Sequence, residues 1–415
     1  MKTQGKVYFG WYIVAVSFLL LALVYAPSIS LAGLPIVSIA QDFQVSTTAA
    51  ILPSTIGLLG AMVGSVFAGK VLMRFGIRRT VPVLLIICGV LRIITANAPS
   101  ITFMYGLSIL SGVFGAATSF LPISILINSW FGPKLRGKAM GTATIGISVG
   151  AIVLSPIVAN IIAAATWRGA NWLYAVFYFI SAPMVWLTFY ESPEKKGVIR
   201  LGDLTPEETS KLGAAQPAKS GLTAGEALRT PMFWLAILAI ILINGMGQVW
   251  NSNSTAFSTS IGYTAVQASL LVSLCSLAGV VGKVLYGVYS DIRGARSASN
   301  LFLLPVMAAC ACLVAAHWMP VLAFPATLLY GLSFPNSTVG TPLVTSELFG
   351  SKNYGILVGY TQVASTIGSS LLPLLISYIY ERNGSYMISW VCVFALAVFA
   401  MVMINSAYIA RKRYR

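Results

Sequence analysis

The chain is a succession of apolar runs, each long enough to cross a lipid bilayer as a helix. Such a helix needs about 20 apolar residues, and runs of that length follow one another from residue 9 to residue 410. Inside a bilayer the backbone must satisfy its own hydrogen bonds, so helices are expected throughout. Only 9% of the 415 residues are charged, against roughly 25% in soluble domains. The sequence therefore predicts an all-α polytopic membrane protein.

Twelve transmembrane spans are predicted, and a polar segment divides them into two groups of six. Spans 1 to 12 cover residues 9–34, 47–72, 80–98, 100–131, 137–164, 169–190, 231–258, 264–289, 297–317, 319–347, 354–380 and 385–410. We expect an N-terminal half at 1–190, a cytoplasmic linker at 191–229 and a C-terminal half at 230–415. Residues 225–230 (GEALRT) predict a short surface helix before span 7.

The positive charge is distributed as in a membrane protein. Of 26 Lys and Arg residues, 22 lie in the termini and in alternate loops, although the net charge of +16 alone could suggest nucleic acid. This bias places those segments in the cytoplasm. We expect a multi-pass protein of the cell (inner) membrane with cytoplasmic termini and no nucleic-acid partner. The first apolar run is too long for a cleaved signal peptide, so span 1 is expected to stay.

The two halves of the sequence repeat each other. One constant offset in residue number, without gaps, superimposes the small and charged residues of one half on those of the other. The matching pairs include Gly64 and Gly282, Gly69 and Gly287, Gly76 and Gly294, Arg78 and Arg296, and Gly150 and Gly368. The repeat predicts two pseudo-symmetric six-helix halves, an arrangement typical of one class of secondary transporters. A channel or receptor gives no reason for such a repeat.

Lys283 lies inside an apolar run, eight residues before Asp291. Eight helical residues place it about 12 Å inside the span, where a lysine costs about 2.5–3.5 kcal/mol and should face a wet cavity or a partner. A polar stripe at helical spacing surrounds it: Ser269, Ser273, Ser276, Tyr286 and Ser290. The alternative is that its side chain snorkels to the cytoplasm.

The acidic residues all lie in loops or at the ends of spans. The predicted membrane interior therefore carries positive charge, which favours an anion as ligand, and we hypothesise a small carboxylate. The spans contain no cluster of His, Asp or Glu for acid–base or metal chemistry. We expect no enzyme activity, no catalytic or metal site and no cofactor.

Further polar and aromatic residues of several spans could bind such an anion through hydroxyls, amides and rings. The candidates are Tyr25, Phe120, Asn251, Tyr286, Tyr330, Phe334, Thr338, Tyr360 and Gln362. Packing or hydrogen bonding between helices explains each of them at least as well. A second cation, Arg92, lies near the outer end of span 3, where we expect it to snorkel to the outer surface.

The loop after span 8, Gly287-Val-Tyr-Ser-Asp-Ile-Arg-Gly-Ala-Arg296, resembles the signature loop of the major facilitator superfamily. Its counterpart after span 2, residues 69–79, has Met73 where that family usually has Asp. The resemblance implies a latch that closes the cytoplasmic side, in which the acid can pair with arginine. The gating residues it implies are Arg74, Arg78, Asp291, Arg293 and Arg296.

Within the superfamily the chain resembles the oxalate/formate antiporter and monocarboxylate transporter group. Three stretches carry this likeness: FGWYIVAVSF in span 1, LRTPMFW before span 7, and span 8, where Lys283 matches a family arginine. Thr361 stands where the oxalate carriers have a second cation, which favours monocarboxylates. Gly279 stands where proton-coupled members have an Asp. If transport is proton-coupled, Lys283 itself would titrate, since lysine can lose its proton when buried.

These features together predict a secondary active transporter of small organic anions. Monocarboxylates like lactate, pyruvate or formate are favoured, carried by alternating access with the carboxylate held at Lys283. The alternative is another small anion, a dicarboxylate or a zwitterion such as an amino acid, and an integral membrane enzyme has the least support. The expected partners are the carboxylate, the lipid bilayer, and protons or a counter-transported anion. A monomer is expected.

Overall fold

The structure, a computed structural model, describes residues 8–118, 120–196, 198, 200–202, 221–263 and 265–411. Across these ranges the regular structure is helical, apart from two isolated β-bridges. Nine of the described helices are long and apolar enough to cross a membrane. Two of these nine helices contain two spans each. A further span, span 10, is divided into short helices and is therefore not among the nine. The twelve predicted spans are thus all present.

The first six spans follow the predicted boundaries to within a few residues. They occupy Phe9–Ile29, Thr47–Phe75, Ile77–Ala96, Ile101–Trp130 and Arg136–Thr188. Spans 5 and 6 share the last of these and meet at Ala165 and Thr166, whose backbone dihedrals are not helical. A short helix, Ile36–Phe43, lies between spans 1 and 2.

The last six spans repeat this order. They occupy Pro231–Ser260, Ala265–Ala315, residues 323–349, Tyr354–Asn383 and Tyr386–Arg411. Spans 8 and 9 share Ala265–Ala315 and meet at Gly294, where φ is 82°. Span 3 is separated from span 2 in the same way by Gly76, where φ is 86°. The constant offset of the sequence repeat pairs these two glycines, and only glycine adopts such a φ at low cost.

Close contacts between helices also follow the repeat. A Cβ on Gly64 of span 2 would lie 2.8 Å from Cα of Val113 in span 4. A Cβ on Gly282 of span 8 would lie 2.9 Å from the carbonyl oxygen of Leu332 in span 10. Small residues let membrane helices approach in this way. The sequence repeat is therefore a repeat of packing.

Contacts divide the chain into two compact units. Unit 1 contains Met1–Gly132, Thr142–Asp203 and Val358–Tyr360; unit 2 contains Pro133–Gly141, Leu204–Leu357 and Thr361–Arg415. The start of span 5 thus belongs to unit 2, together with span 8. This assignment brings the first turn of span 5 to the candidate site described below.

Both described ends of the predicted linker are attached to the ends of spans. Leu201 pairs with Phe131 after span 4, and Gly221 pairs with Gly350 after span 10. The predicted surface helix is present at Ala224–Leu228, with Thr223 and Glu226 forming a capping box. The hydrogen bonds from Thr223 hold the pKa of Glu226 below its usual range. Residues 203–220 of the predicted linker lie outside the described residues.

Candidate functional site

The predicted substrate-binding residues fall in both compact units. Unit 2 contains Lys283, Asn251, Tyr286, Tyr330, Phe334, Thr338 and Gln362, and unit 1 contains Tyr25, Phe120 and Tyr360.

Lys283 is buried in unit 2, with 4% of its surface exposed. Span 8 comes close to its neighbours on either side of this residue. A Cβ on Gly279 would lie 3.2 Å from the ring of Phe334, and a Cβ on Gly141 in span 5 would lie 2.7 Å from the Lys283 carbonyl oxygen. The side chain is held inside the protein, so the snorkelling alternative is wrong for Lys283.

Hydroxyls of the polar stripe on span 8 bond to their own helix. Ser276 Oγ donates to the carbonyl of Val272 at 3.0 Å, and Ser290 Oγ donates to that of Gly287 at 2.9 Å. The side chain of Ser269 lies outside the described residues. Such a bond uses the O–H donor of the serine within its own helix, and the serine oxygen can still accept a hydrogen bond from another group.

Tyr286 joins span 8 to span 9. Its hydroxyl shares a 2.8 Å hydrogen bond with Ser299 Oγ, and its ring packs edge to face against Phe302 at 5.0 Å. The ring is fully buried. Any contact of Tyr286 with a substrate would compete with this bond, and its role stays a prediction.

Tyr330 lies in an aromatic cluster of span 7, span 10 and span 12. Its hydroxyl donates to the carbonyl of Met246 at 2.7 Å, and its ring stacks on Trp250 at 5.0 Å. The rings of Phe334 and Trp390 lie 6.2 and 6.3 Å away. The structure therefore brings Tyr330 and Phe334 together, as their helical spacing predicts.

Span 10 contains a π-helix at Asn336–Gly340, which was not predicted. The buried Oδ1 of Asn336 and Oγ1 of Thr338 have no hydrogen-bond partner among the described residues. A cavity of about 10 Å³ adjoins Asn336 and is lined by Ile243, Met246, Gly247, Leu303, Val306, Ser333, Phe334, Asn336 and Ser337. Such π-helical turns are frequent at functional sites. Pro342, just beyond this segment, was the available sequence signal.

Span 1 of unit 1 contains a second π-helix, Leu21–Tyr25, which ends two residues before Pro27. Tyr25 is its last residue, and the Tyr25 ring lies 6.0 Å from that of Phe120 in span 4. Span 4 is itself interrupted between Gly115 and Phe120. The structure thus brings together the two unit 1 aromatics predicted from spans 1 and 4.

The remaining substrate candidates differ in exposure. Asn251 is exposed, whereas Tyr360 and Gln362 are half-buried. Thr361, between the last two, is fully buried. The roles of Asn251, Tyr360 and Gln362 in substrate binding stay predictions.

Asp291 binds the start of span 5. Its two carboxylate oxygens accept hydrogen bonds from the backbone N–H groups of Gly137 and Lys138, at 2.6 and 2.8 Å. These N–H groups belong to the first turn of the helix that begins at Arg136, where free donors and the helix dipole favour an anion. In these contacts a helix N-terminus takes the place of the expected arginine.

The predicted gating arginines contact groups of their own unit. Arg78 Nε donates to the carbonyl of Trp186 at 2.9 Å, and Arg296 Nε donates to Asn405 Oδ1 at 2.9 Å. Arg74 lies over the ring of Phe75 at 5.5 Å, and Arg293 is exposed.

Glutamates that the sequence analysis did not single out lie beside the two equivalent glycine turns. Glu347 accepts from the Ala295 N–H and the Tyr408 hydroxyl, both at 2.7 Å. The carboxylate of Glu191 lies against Gly76. The offset that pairs the two glycines does not pair the two glutamates, which is why the repeat did not reveal them.

Arg92 is half-buried and contacts polar groups of spans 1 and 6, and its snorkelling to the outer surface stays a prediction. Its Nη1 donates to Asn171 Oδ1 and its Nη2 to Ser28 Oγ, each at 3.4 Å, and the guanidinium lies 5.6 Å from the ring of Tyr174. Ser28 in span 1 and Asn171 in span 6 thus bring polar groups to Arg92 in span 3. Residue spacing within one helix cannot predict such contacts between helices.

Twelve apolar helices in two repeated halves, with a buried cation and a charged loop after span 8, define a polytopic secondary transporter. The family model of the Major Facilitator Superfamily matches residues 14–373, and the chain belongs to this superfamily. Since members of this fold are transporters, the chain is not an enzyme.

Known proteins similar to the chain support the same assignment. Monocarboxylate transporter 12 of Rattus norvegicus is 23% identical over 91% of this chain and 80% of its own length. The probable sulfoacetate transporter SauU of Cupriavidus necator is 25% identical over 83% of this chain and 84% of its own length. The crystal structure of the human organic anion transporter MFSD10 has a TM-score of 0.72 at 15% identity, over 95% of this chain and 99% of that one, and it shows the fold. The chain lies close to the monocarboxylate transporter group.

Proposed function

We propose that the chain is a secondary active transporter of small organic anions, and that its substrates are monocarboxylates like lactate, pyruvate or formate. Transport follows alternating access between the halves 1–190 and 230–415, which the linker 191–229 joins. The carboxylate is held by Lys283 while Asp291, with the arginines of the two signature loops, belongs to the cytoplasmic gate.

The burial of Lys283 is the observation that carries this proposal. An ammonium that is 4% exposed in the middle of a membrane span is costly and marks a substrate or ion pathway. The acids of the sequence lie in loops or at the ends of spans, so the electrostatic preference of the interior is for an anion. Relatives named for monocarboxylate and sulfoacetate transport agree with a negatively charged substrate.

The position of the second cation in the oxalate carriers supports a substrate with one carboxylate. Here Thr361 occupies it and is fully buried, so it offers a hydroxyl in place of a charge. The ammonium of Lys283 balances one carboxylate, whereas a dicarboxylate would bring a second charge to a position where this sequence has no cation.

The packing of Gly279 bears on proton coupling. A Cβ at this position would already lie 3.2 Å from Phe334 and 3.5 Å from the carbonyl of Gly331, so the larger side chain of an aspartate does not fit without repacking. We therefore assign any proton coupling to Lys283. Lys283→Arg should keep anion exchange and lose its response to a pH gradient, because arginine does not titrate in this range.

Ligand-induced thermal stabilisation of the purified protein tests the substrate class. Formate, acetate, lactate, pyruvate, oxalate and aromatic monocarboxylates are compared in wild type, in Lys283→Ala and in Lys352→Ala, an exposed lysine of the same unit. A ligand at 100 times its Kd adds about 2.7 kcal/mol of apparent stability. Monocarboxylates should stabilise wild type and Lys352→Ala, and fail to stabilise Lys283→Ala.

Two results would count against the proposal. Stabilisation that survives Lys283→Ala would remove the anchor from span 8. A response to an amino acid, a dicarboxylate or a neutral sugar, without one to monocarboxylates, would leave the fold unchanged and replace the substrate class.

A further inference from the structure

A second cation within the membrane spans, Arg92, lies in unit 1. Arg92 is the sixteenth residue of the helix Ile77–Ala96, about 22 Å along its axis from the start. It lies one turn before the end of that helix, and its surroundings come from spans 1 and 6. The proposed function so far gives it no role.

The contacts of Arg92 are long and made to neutral groups. Its hydrogen bonds to Asn171 and Ser28 each measure 3.4 Å, beyond the 2.7–3.2 Å of ordinary bonds of this kind. The Tyr178 hydroxyl also interacts with Arg92 and with Ser28. A guanidinium has five N–H donors, so this set of contacts leaves capacity for a stronger acceptor.

Arg168 shows what a structural arginine looks like in the same unit. Its Nη2 and Nε bind Asp42 Oδ2 at 3.0 and 3.2 Å, and its Nη1 donates to the carbonyl of Ala96 at 2.9 Å. Arg168 therefore has a carboxylate partner and short bonds. Among the described residues Arg92 has no carboxylate partner, although it lies deeper in its span, where an unbalanced charge costs more.

Tyr174, whose ring lies near Arg92, has a hydroxyl with no assigned hydrogen bond among the described residues. The Tyr174 side chain is 6% exposed, and its buried hydroxyl has no hydrogen-bond partner in the described part of the chain, which costs about 1–3 kcal/mol in a protein interior. The Arg92 guanidinium lies 5.6 Å from this ring. Arg92 and Ser28 are both only half-buried, so a small ligand can approach them.

We propose that Arg92 forms a second binding site for the transported carboxylate, in unit 1, in which N–H groups that now donate weakly to Ser28 and Asn171 donate to the anion instead. A carboxylate accepts two parallel bonds from a guanidinium and supplies the negative charge that the neutral contacts of Arg92 do not. The site rests on the proposed function, since it takes the same anion as Lys283. It also lies beside the π-helix of span 1, because Ser28 donates to the carbonyl of Val24 at 3.0 Å.

Transport kinetics in vesicles reconstituted with the full chain test this site. The probes are lactate, pyruvate and formate, measured with wild type, Arg92→Gln and Arg92→Lys. Loss of a charge-assisted bidentate contact should raise KM about tenfold in Arg92→Gln with kcat changed less than twofold. Arg92→Lys keeps the positive charge and loses the two parallel N–H donors. Its KM should therefore lie between that of wild type and that of Arg92→Gln.

Three outcomes would contradict the proposal or the function on which it rests, and each has its own signature. If Arg92→Gln leaves KM unchanged, or lowers melting temperature and kcat with KM intact, Arg92 is structural and the site is wrong. If the rise in KM occurs in vesicles containing phosphatidylglycerol and is absent in pure phosphatidylcholine, the anion is a lipid phosphate, which overturns the carboxylate assignment. If wild type transports none of the probes, the proposed function fails, independently of Arg92.

Discussion

The ammonium of Lys283 is stable inside unit 2 only if its surroundings repay the cost of removing it from water. That cost is about 2.5–3.5 kcal/mol for a lysine at the centre of a membrane helix. The sequence predicted the position and the sign of this charge. An exposure of only 4% then excluded a snorkelling side chain, which periodicity alone could not do, because Gly141 of span 5 is brought against Lys283 only by tertiary packing.

The contact of Asp291 with the first turn of span 5 should stabilise the protein. Asp291→Asn removes the negative charge from the first turn of span 5, where its bonds to Gly137 and Lys138 measure 2.6 and 2.8 Å. An anion at a helix N-terminus contributes about 0.3–1 kcal/mol, and up to about 2 kcal/mol when partly buried, so the melting temperature should fall.

Arg293→Gln is the matched control for Asp291→Asn. Arg293 is exposed in the same loop, and exposed substitutions of this kind change stability by less than about 0.5 kcal/mol. If both variants lower the melting temperature equally, the contact of Asp291 with span 5 gives no specific stabilisation.

At the scale of helices, the apolar runs predicted all twelve spans, since each length is set by the thickness of the bilayer. The short helix capped by Thr223 and Glu226 was predicted from a local motif, GEALRT, and it is present. The two π-helices, Leu21–Tyr25 and Asn336–Gly340, were not predicted. Hydrophobic periodicity does not distinguish one extra residue in a turn when both faces of the helix are apolar or small.

Close packing of span 5 against span 8 gives a prediction for this scale. A Cβ on Gly141 would lie 2.7 Å from the Lys283 carbonyl oxygen, whereas a Cβ on Gly106 in span 4 meets no described atom within 4 Å. Gly141→Ala should therefore separate the two spans at a cost of about 1–3 kcal/mol.

Gly106→Ala should instead stabilise the protein by about 0.5–1 kcal/mol, because alanine is the better helix former. The melting temperatures of the two variants are compared in one detergent. Equal shifts of the same sign would mean that the contact between Gly141 and Lys283 does not form.

At the scale of the whole molecule, the constant offset between the two sequence halves predicted equivalent construction. The positive φ of both Gly76 and Gly294 agrees with it. The offset could not reveal features that differ between the halves. Glu347 of span 10 and Glu191, which follows span 6, contact equivalent turns from positions that the offset does not pair. Arg92 has no basic counterpart, since Cys310 occupies the matching position. Such differences matter for the proposed substrate site, because pseudo-symmetry alone would give two identical half-sites.

Counterflow in vesicles tests the central claim most directly, namely that the chain carries a monocarboxylate held at Lys283. Vesicles loaded with unlabelled lactate or pyruvate are diluted into a trace of the labelled anion, with wild type, Lys283→Ala and Lys352→Ala. We predict transient, saturable accumulation of label in wild type and Lys352→Ala, and none in Lys283→Ala. Accumulation of equal size in Lys283→Ala would contradict the account.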